Sequence, residues 1–342
     1  MSSCKEVDPR IKFSIDNNYD PDGELLIFIP NIVFDQKHDR LLIMDSHYKK
    51  IRVFSHDGMF IFKTSGENML VDQDAYPWGL AIDYDNDRVF VTGGSLLQSW
   101  SPLSTLEHKN LCINLGSSIR DIVIDNHNQH IIIADSAYRT LHVISLKDFS
   151  PLFTIGTYGT EPGKFTGLQW LAIDHDRQRI IVPDHSGNNR IQVFSSMDGS
   201  FLFQFRYPED PANKFSIHSG ICVDNQGRII IADISNYKLQ AFTADGHFIS
   251  HFDCVNVPCA VAFDKNRGTI AFSTKRQINV IEANQWLPGT FIWRPNFHYY
   301  APLFIKQVVI MITMLRSFGS DCLYPTIILL PNELLFLIFS FL

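Results

Sequence analysis

DHSGNNRIQVFSSMDGSFLFQF (Asp184–Phe205) holds two alternating apolar runs, Arg190–Phe194 and Ser200–Phe205, joined through Asp198-Gly199. Asp-Gly between such runs is a strong hairpin signal, because the glycine supplies the positive φ of a tight turn. LAID (Leu171–Asp174) and a second apolar stretch ending at Asp184 come just before it. Residues 171–205 therefore read as four short strands in succession.

The phrase recurs along the chain. First strands are IVFD (Ile32–Asp35), LAID (Leu80–Asp83), IVID (Ile122–Asp125), LAID (Leu171–Asp174), ICVD (Ile221–Asp224) and VAFD (Val261–Asp264). Their terminal aspartates lie 48, 42, 49, 50 and 40 residues apart. Second aspartates follow at Asp45, Asp135, Asp184 and Asp233, and third strands at KIRVF (Lys50–Phe54), TLHVI (Thr140–Ile144), RIQVF (Arg190–Phe194) and KLQAF (Lys238–Phe242). Asp-Gly recurs at 57–58, 198–199 and 245–246. Four short strands every 40 to 50 residues specify propeller blades, and six copies specify six. The strands are too short and too β-branched for a helical repeat.

Ring closure can be read as well. Blade six offers three strands but no Asp-Gly fourth, whereas Asp22-Gly23 is followed by ELLIFI (Glu24–Ile29). The expectation is that residues 22–29 supply the outer strand of blade six and remove an exposed edge. RIKF (Arg10–Phe13) echoes RIQV (Arg190–Val193), which leaves a split seventh blade as the alternative.

PWGLAID (Pro77–Asp83), DHSGNNRIQVF (Asp184–Phe194) and DGSFLFQF (Asp198–Phe205) together resemble the NHL repeat, over roughly residues 22–285. The expected fold is all-β: a six-bladed NHL-type propeller over residues 1–285, followed by a linker and a small α-helical module over 286–342.

Composition agrees with this. Of 342 residues, 45% are apolar and 19% charged, so the chain is neither a disordered tail nor a solvating acidic segment. Phe is unusually frequent at 27. Six cysteines occur without a C-x-x-C pair, and MSSCKEVDPR (Met1–Arg10) has no apolar signal-peptide core. Reduced thiols and a cytoplasmic location are expected.

Strand-closing aspartates read first as turn caps, their carboxylates accepting the amides two and three residues on. Function in propellers lies in the loops at one end of the ring. In NHL-like propellers the loops between second and third strands share a face with the segments leading into each first strand. That face is expected to carry Tyr48, Lys49, Trp78, Arg120, Tyr138, Arg139, Gln169, Trp170, His185, Asn188 and Tyr237. Tyr, Trp and Arg there suit a protein partner. They also stack on single-stranded bases, which keeps an RNA-binding propeller as the alternative.

The charge weighs against RNA. The net charge is −7, with −8 over residues 1–289. Aspartates at 45, 135, 184 and 233 offset the basic side chains of the face, so few phosphates would be neutralised. No metal-ligand spacing recurs among the 13 histidines, and no G-x-S-x-G or phosphate loop occurs. The reading is a non-enzyme without metal or cofactor. A metal-dependent hydrolase or lyase using the propeller channel is the second alternative.

Beyond residue 285 the repeat stops. Phe304, Val308, Met311, Ile312 and Leu315 share one helical spacing, and Leu330, Leu334, Leu337, Ile338 and Phe341 repeat it. LPNELLFLIFSFL (Leu330–Leu342) resembles the opening helix of an F-box, or the last helix of a SOCS box. That resemblance implies adaptor docking through Leu330, Pro331, Leu334, Leu337, Ile338 and Phe341, and a role as substrate receptor of a ubiquitin ligase. The helices packing on the propeller, or belonging to a truncated domain, are the other readings. A membrane anchor is disfavoured, because Pro331, Asn332 and Glu333 interrupt the apolar run.

Overall fold

The computed structural model describes residues 10–16, 22–64, 76–106, 108–115, 118–206, 220–274 and 276–287. The chain divides into two compact units, Met1–Leu287 and Pro288–Leu342. Both predicted C-terminal helices, with Leu330, Pro331, Leu334, Leu337, Ile338 and Phe341, lie outside the described residues.

The first strand is β1 (Ile11–Ile15). Blade one follows as β2 (Asn31–Asp35), β3 (Arg40–Asp45), β4 (Lys50–Ser55) and β5 (Phe60–Lys63). Blade two is β6 (Pro77–Asp83), β7 (Arg88–Gly93), β8 (Leu96–Ser101) and β9 (His108–Asn114). Blade three comprises β10 (Ile119–Asp125), β11 (His130–Asp135), β12 (Thr140–Ser145) and β13 (Pro151–Ile155). β14 (Ala172–Asp174), β15 (Arg179–Asp184), β16 (Arg190–Ser195) and β17 (Phe201–Phe205) form blade four. Blade five is β18 (Ile221–Val223), β19 (Ile229–Asp233), β20 (Lys238–Phe242) and β21 (Phe248–Asp253). The last strands are β22 (Val261–Asp264), β23 (Thr269–Thr274) and β24 (Gln277–Glu282).

These strands form six four-stranded antiparallel sheets, the six-bladed propeller that the repeats specify. The order β1-β24-β23-β22 completes blade six. The N-terminus thus supplies the closing strand, but from β1 and not from residues 22–29. Ile11 pairs with Ile281, Phe13 with Val280 and Ile15 with Ile278. Ser14 Oγ donates to Asn279 Oδ1 at 2.8 Å, and Lys12 Nζ reaches Glu282 Oε1 at 2.6 Å. RIKF therefore belongs to blade six, and no seventh sheet exists among the described residues.

Residues 24–29 took the apolar signature of a strand for a different reason. They form an extended connector carrying Leu26 and Ile29 into the core beneath blades one and six. Individual bonds hold it. Ser46 N donates to the Phe28 carbonyl at 3.0 Å, and Ser273 Oγ donates to the Ile29 carbonyl at 3.0 Å. Glu24 receives Lys50 Nζ at 2.6 Å and Lys63 Nζ at 2.8 Å.

The Asp-Gly turns join neighbouring blades. A Cβ on Gly58 (φ +89°) would come within 2.9 Å of Phe13 on β1, and one on Gly199 (φ +74°) within 2.7 Å of Ile155 on β13. Gly246 lies against Phe205 on β17 in the same way. Each turn sits on the outer strand of the preceding blade, and only glycine permits both the φ and the approach. Phe rings fill the spaces between blades: Phe165–Phe194 at 5.6 Å, Phe205–Phe242 at 5.3 Å and Phe252–Phe272 at 5.9 Å between centroids. The Phe-rich composition is thereby the packing material of the ring.

Candidate functional site: the turn face and the channel mouth

The turns between second and third strands are built on buried aspartates. Asp135 Oδ1 accepts the amides of Ala137 at 2.9 Å and Tyr138 at 3.1 Å, while His142 Nε2 lies 2.9 Å from Oδ2. Asp45 accepts Tyr48 N at 3.3 Å and pairs with Arg52 Nη2 at 2.8 Å. Asp233 accepts Asn236 N and Gln240 Nε2, and Asp184 pairs with Arg190 Nε at 2.9 Å. All four carboxylates are sealed from solvent. Two of them neutralise a buried cation of their own blade, Arg52 for Asp45 and Arg190 for Asp184.

The outward side chains of the turns vary. Tyr138 is 67% exposed and Tyr237 50% exposed. Lys49, Arg139 and Tyr237 occupy the positive-φ position, at 53°, 57° and 56°. Tyr48 is half-buried beneath Arg52, whose guanidinium lies 5.4 Å from its ring centroid. Lys49 Nζ stands 5.8 Å from the Tyr76 ring, and Arg139 Nε donates to the Thr166 carbonyl at 3.0 Å.

Three predicted face residues are buried: Trp170, 6% exposed, and two polar residues of the blade-four turn. His185, 5% exposed, has Nδ1 2.6 Å from Ser186 Oγ. Asn188, 7% exposed, donates Nδ2 to Asp184 Oδ2 at 2.8 Å. Blade four spends these side chains on its own turn and so presents no protruding aromatic there.

Trp78, Arg120 and Trp170 do come together. Arg120 lies 4.3 Å over the Trp78 ring, and Trp78 meets Trp170 edge-on at 6.5 Å. Phe28, which sequence reading assigned to a strand, packs against Trp78 at 5.3 Å. Gln169 is half-buried and uses its carbonyl to accept Asp121 N at 3.2 Å. Trp170 of this group lines a central channel of about 720 Å³ formed by the inner strands. Among the lining residues are Asn31, Asp121 and Trp170 at this mouth, and Tyr84, His127, His175 and Lys265 at the other. Among the described residues no three His, Cys, Asp or Glu side chains converge as a metal site, and no helix is long and apolar enough to cross a membrane.

Asp121 was not singled out from sequence. Its signal is a carboxylate immediately ahead of the apolar run IVID. Asn31 Nδ2 at 2.8 Å and Ile122 N at 2.9 Å donate to Oδ1, and Leu171 N donates to Oδ2 at 2.8 Å. The carboxyl thus ties blades one, three and four across the mouth. Burial raises its pKa to about 7, against the downward pull of the Leu171 and Ile122 amides and Asn31. An unfolded Asp titrates near ~3.9. Between those values the folded chain keeps a proton that the unfolded chain has released. This contribution to stability is complete below about pH 4 and is lost as pH rises through about 7. Melting of the unaltered protein is expected to fall across that window more steeply than melting of Asp121→Asn, by on the order of 3 kcal/mol. Parallel pH profiles for the two proteins would refute this.

No protein-family model matches the sequence. Over 31 residues, 9% of this chain, it is 61% identical to Protein lin-41 of Caenorhabditis elegans, covering 3% of that protein. Over 129 residues, 38% of this chain, it is 25% identical to Protein brain tumor of Drosophila melanogaster, covering 12% of that protein. The matches thus take in only a small part of either relative. Likeness to these two NHL-repeat proteins, together with the six-bladed ring, supports an NHL-type propeller.

Proposed function

We propose that the ring is a non-catalytic recognition scaffold that holds a protein partner on the turn face. The observation carrying this reading is the division of labour in the turns: aspartates are sealed inside, while Tyr138 and Tyr237 stand at the surface, and the Trp78–Arg120 stack on the inner strands is half-buried. Aromatic and arginine side chains on a rigid platform are the usual anchors of protein interfaces. The proposed face comprises Tyr48, Lys49, Trp78, Arg120, Tyr138, Arg139, Gln169 and Tyr237, with the buried Trp170 supporting Trp78. Captured partners identified with the full chain are expected to be lost from Tyr138→Ala/Tyr237→Ala at unchanged melting temperature. Unaltered capture would overturn the assignment of the face.

The ubiquitin-ligase role rests on the resemblance of Leu330–Leu342 to adaptor-docking helices. It requires an adaptor in the same captures that disappears with Leu334→Asp/Ile338→Asp. Absence of an adaptor from the unaltered chain would end that reading.

Exposure of Tyr138 and Tyr237 also suits one second reading, single-stranded RNA, whose bases stack on such rings. Such binding would weaken steeply between about 50 and 200 mM salt.

A further inference from the structure

We infer that the Arg120–Trp78 stack, backed by Trp170 at the channel wall, takes one acidic side chain of an extended peptide partner, with Arg120 reading its carboxylate. The inference rests on the protein-partner reading above and specifies the chemistry of its anchor.

The local backbone is shaped to aim these side chains. Strand register shifts between Pro77 and Gly79 on β6, where Trp78 is the extra residue, and between Ile119 and Ile122 on β10, where Arg120 and Asp121 lie. β-bulges forgo ladder hydrogen bonds and redirect side chains, and they concentrate beside functional sites. Here they turn Asp121 towards the Leu171 and Ile122 amides and Asn31, while Arg120 lies over Trp78.

Arg120 is held ready. Its Nε is 3.4 Å from Ser136 Oγ, which itself donates to the Ser118 carbonyl at 2.9 Å. Trp78 is fixed between Phe28 and Trp170. A stacked, tethered guanidinium loses little freedom when it meets a carboxylate.

What it lacks is an anion. Arg40, Arg52, Arg88, Arg179, Arg190 and Arg228 each pair with a turn aspartate at 2.5–2.9 Å. Arg120, half-buried, has no carboxylate partner among the described residues. Burial lowers its pKa, and no neighbouring charge acts the other way. A partly desolvated cation without a counterion is costly, and a carboxylate in fork geometry relieves the cost. One guanidinium stacked on one indole suits one carboxylate with an apolar neighbour. The adjoining channel wall, with Ile122, Leu171 and Ile221, can receive that neighbour. The charge of −8 over residues 1–289 disfavours a polyanion.

The test uses acetylated, amidated pentapeptides Ala-X-Glu-X-Ala, with X either Leu or Phe, and their Gln counterparts. Binding to the full chain is read by tryptophan fluorescence, with decauridylate as a separate arm. At least one Glu peptide is expected to bind tenfold or more tightly than its Gln counterpart. Arg120→Gln should abolish that difference at unchanged melting temperature. Absence of binding, equal binding of the Glu and Gln forms, or discrimination that survives Arg120→Gln would overturn the inference. Decauridylate binding that requires Arg120, without Glu/Gln discrimination, would overturn it in favour of phosphate. Partner capture through Tyr138 and Tyr237 is measured independently, so failure here is distinguishable from failure of the scaffold.

Discussion

Removal of residues 1–16 is expected to open the ring, with loss of cooperative folding or a fall in melting temperature of more than about 10 °C. The deletion takes away the whole of β1, including the ladder from Ile11↔Ile281 to Ile15↔Ile278. It leaves β24 as a bare edge and, by removing Ile15, uncovers the core around Leu26, Ile29 and Val280. The seat of the Gly58 turn disappears with it, so blade one loses the contact its outer hairpin makes with blade six. Ile15→Ala alone, at a fully buried site, should cost about 2–5 kcal/mol. Phe28→Ala in the partly exposed connector should cost much less. Calorimetry of the three variants checks the order, and an unchanged melt for the deletion would disprove closure by β1.

The second large effect concerns Asp184. Its Oδ1 accepts Thr166 N at 2.8 Å and Gly167 N at 3.2 Å. Its Oδ2 receives Asn188 Nδ2 at 2.8 Å and Arg190 Nε at 2.9 Å. The residue is fully buried and Arg190 is 1% exposed. Asp184→Ala therefore leaves a buried guanidinium without its anion, besides orphaning two backbone amides. A destabilisation of about 3–5 kcal/mol is expected in urea unfolding. Arg190→Met in the same chain should restore some of it, because the uncompensated charge goes while the amide loss remains. If the double variant is no more stable than Asp184→Ala, the penalty does not arise from the charge.

Blade number and strand order were legible because two local signals repeat independently. An aspartate closes each inner strand, and Asp-Gly opens the fourth strand in blades one, four and five. Both are short-range devices, set by hydrogen bonds within a turn. Closure was misread because it is long-range: Glu24–Ile29 and Ile11–Ile15 are both apolar, and only their partners differ. Leu26 and Ile29 are apolar because they cross beneath two blades, which alternation alone does not distinguish from a strand face. The Trp78–Arg120–Trp170 cluster could be named residue by residue, since Trp78 and Arg120 each lie five residues before the aspartate that closes their inner strand and Trp170 lies four before Asp174. The inward turn of His185 and Asn188 could not, because it depends on how blade four folds its own loop. Asp121 escaped attention because its role is to join three blades, and one repeat read by itself contains no trace of the others.

Chain entrance and exit meet at one place on the ring. Arg10 lies 4.1 Å over Phe252, and Trp286 packs on the same ring at 6.0 Å. β1 begins opposite the end of β24, with Ile11 facing Ile281. Tension applied between residue 10 and residue 287 would therefore act across the first rung of this ladder instead of along it. The rungs would separate in succession, as a zipper does, and never bear the load together. A ring that heat must melt as a whole thus has a seam where a weak pull on its two ends can begin to open it.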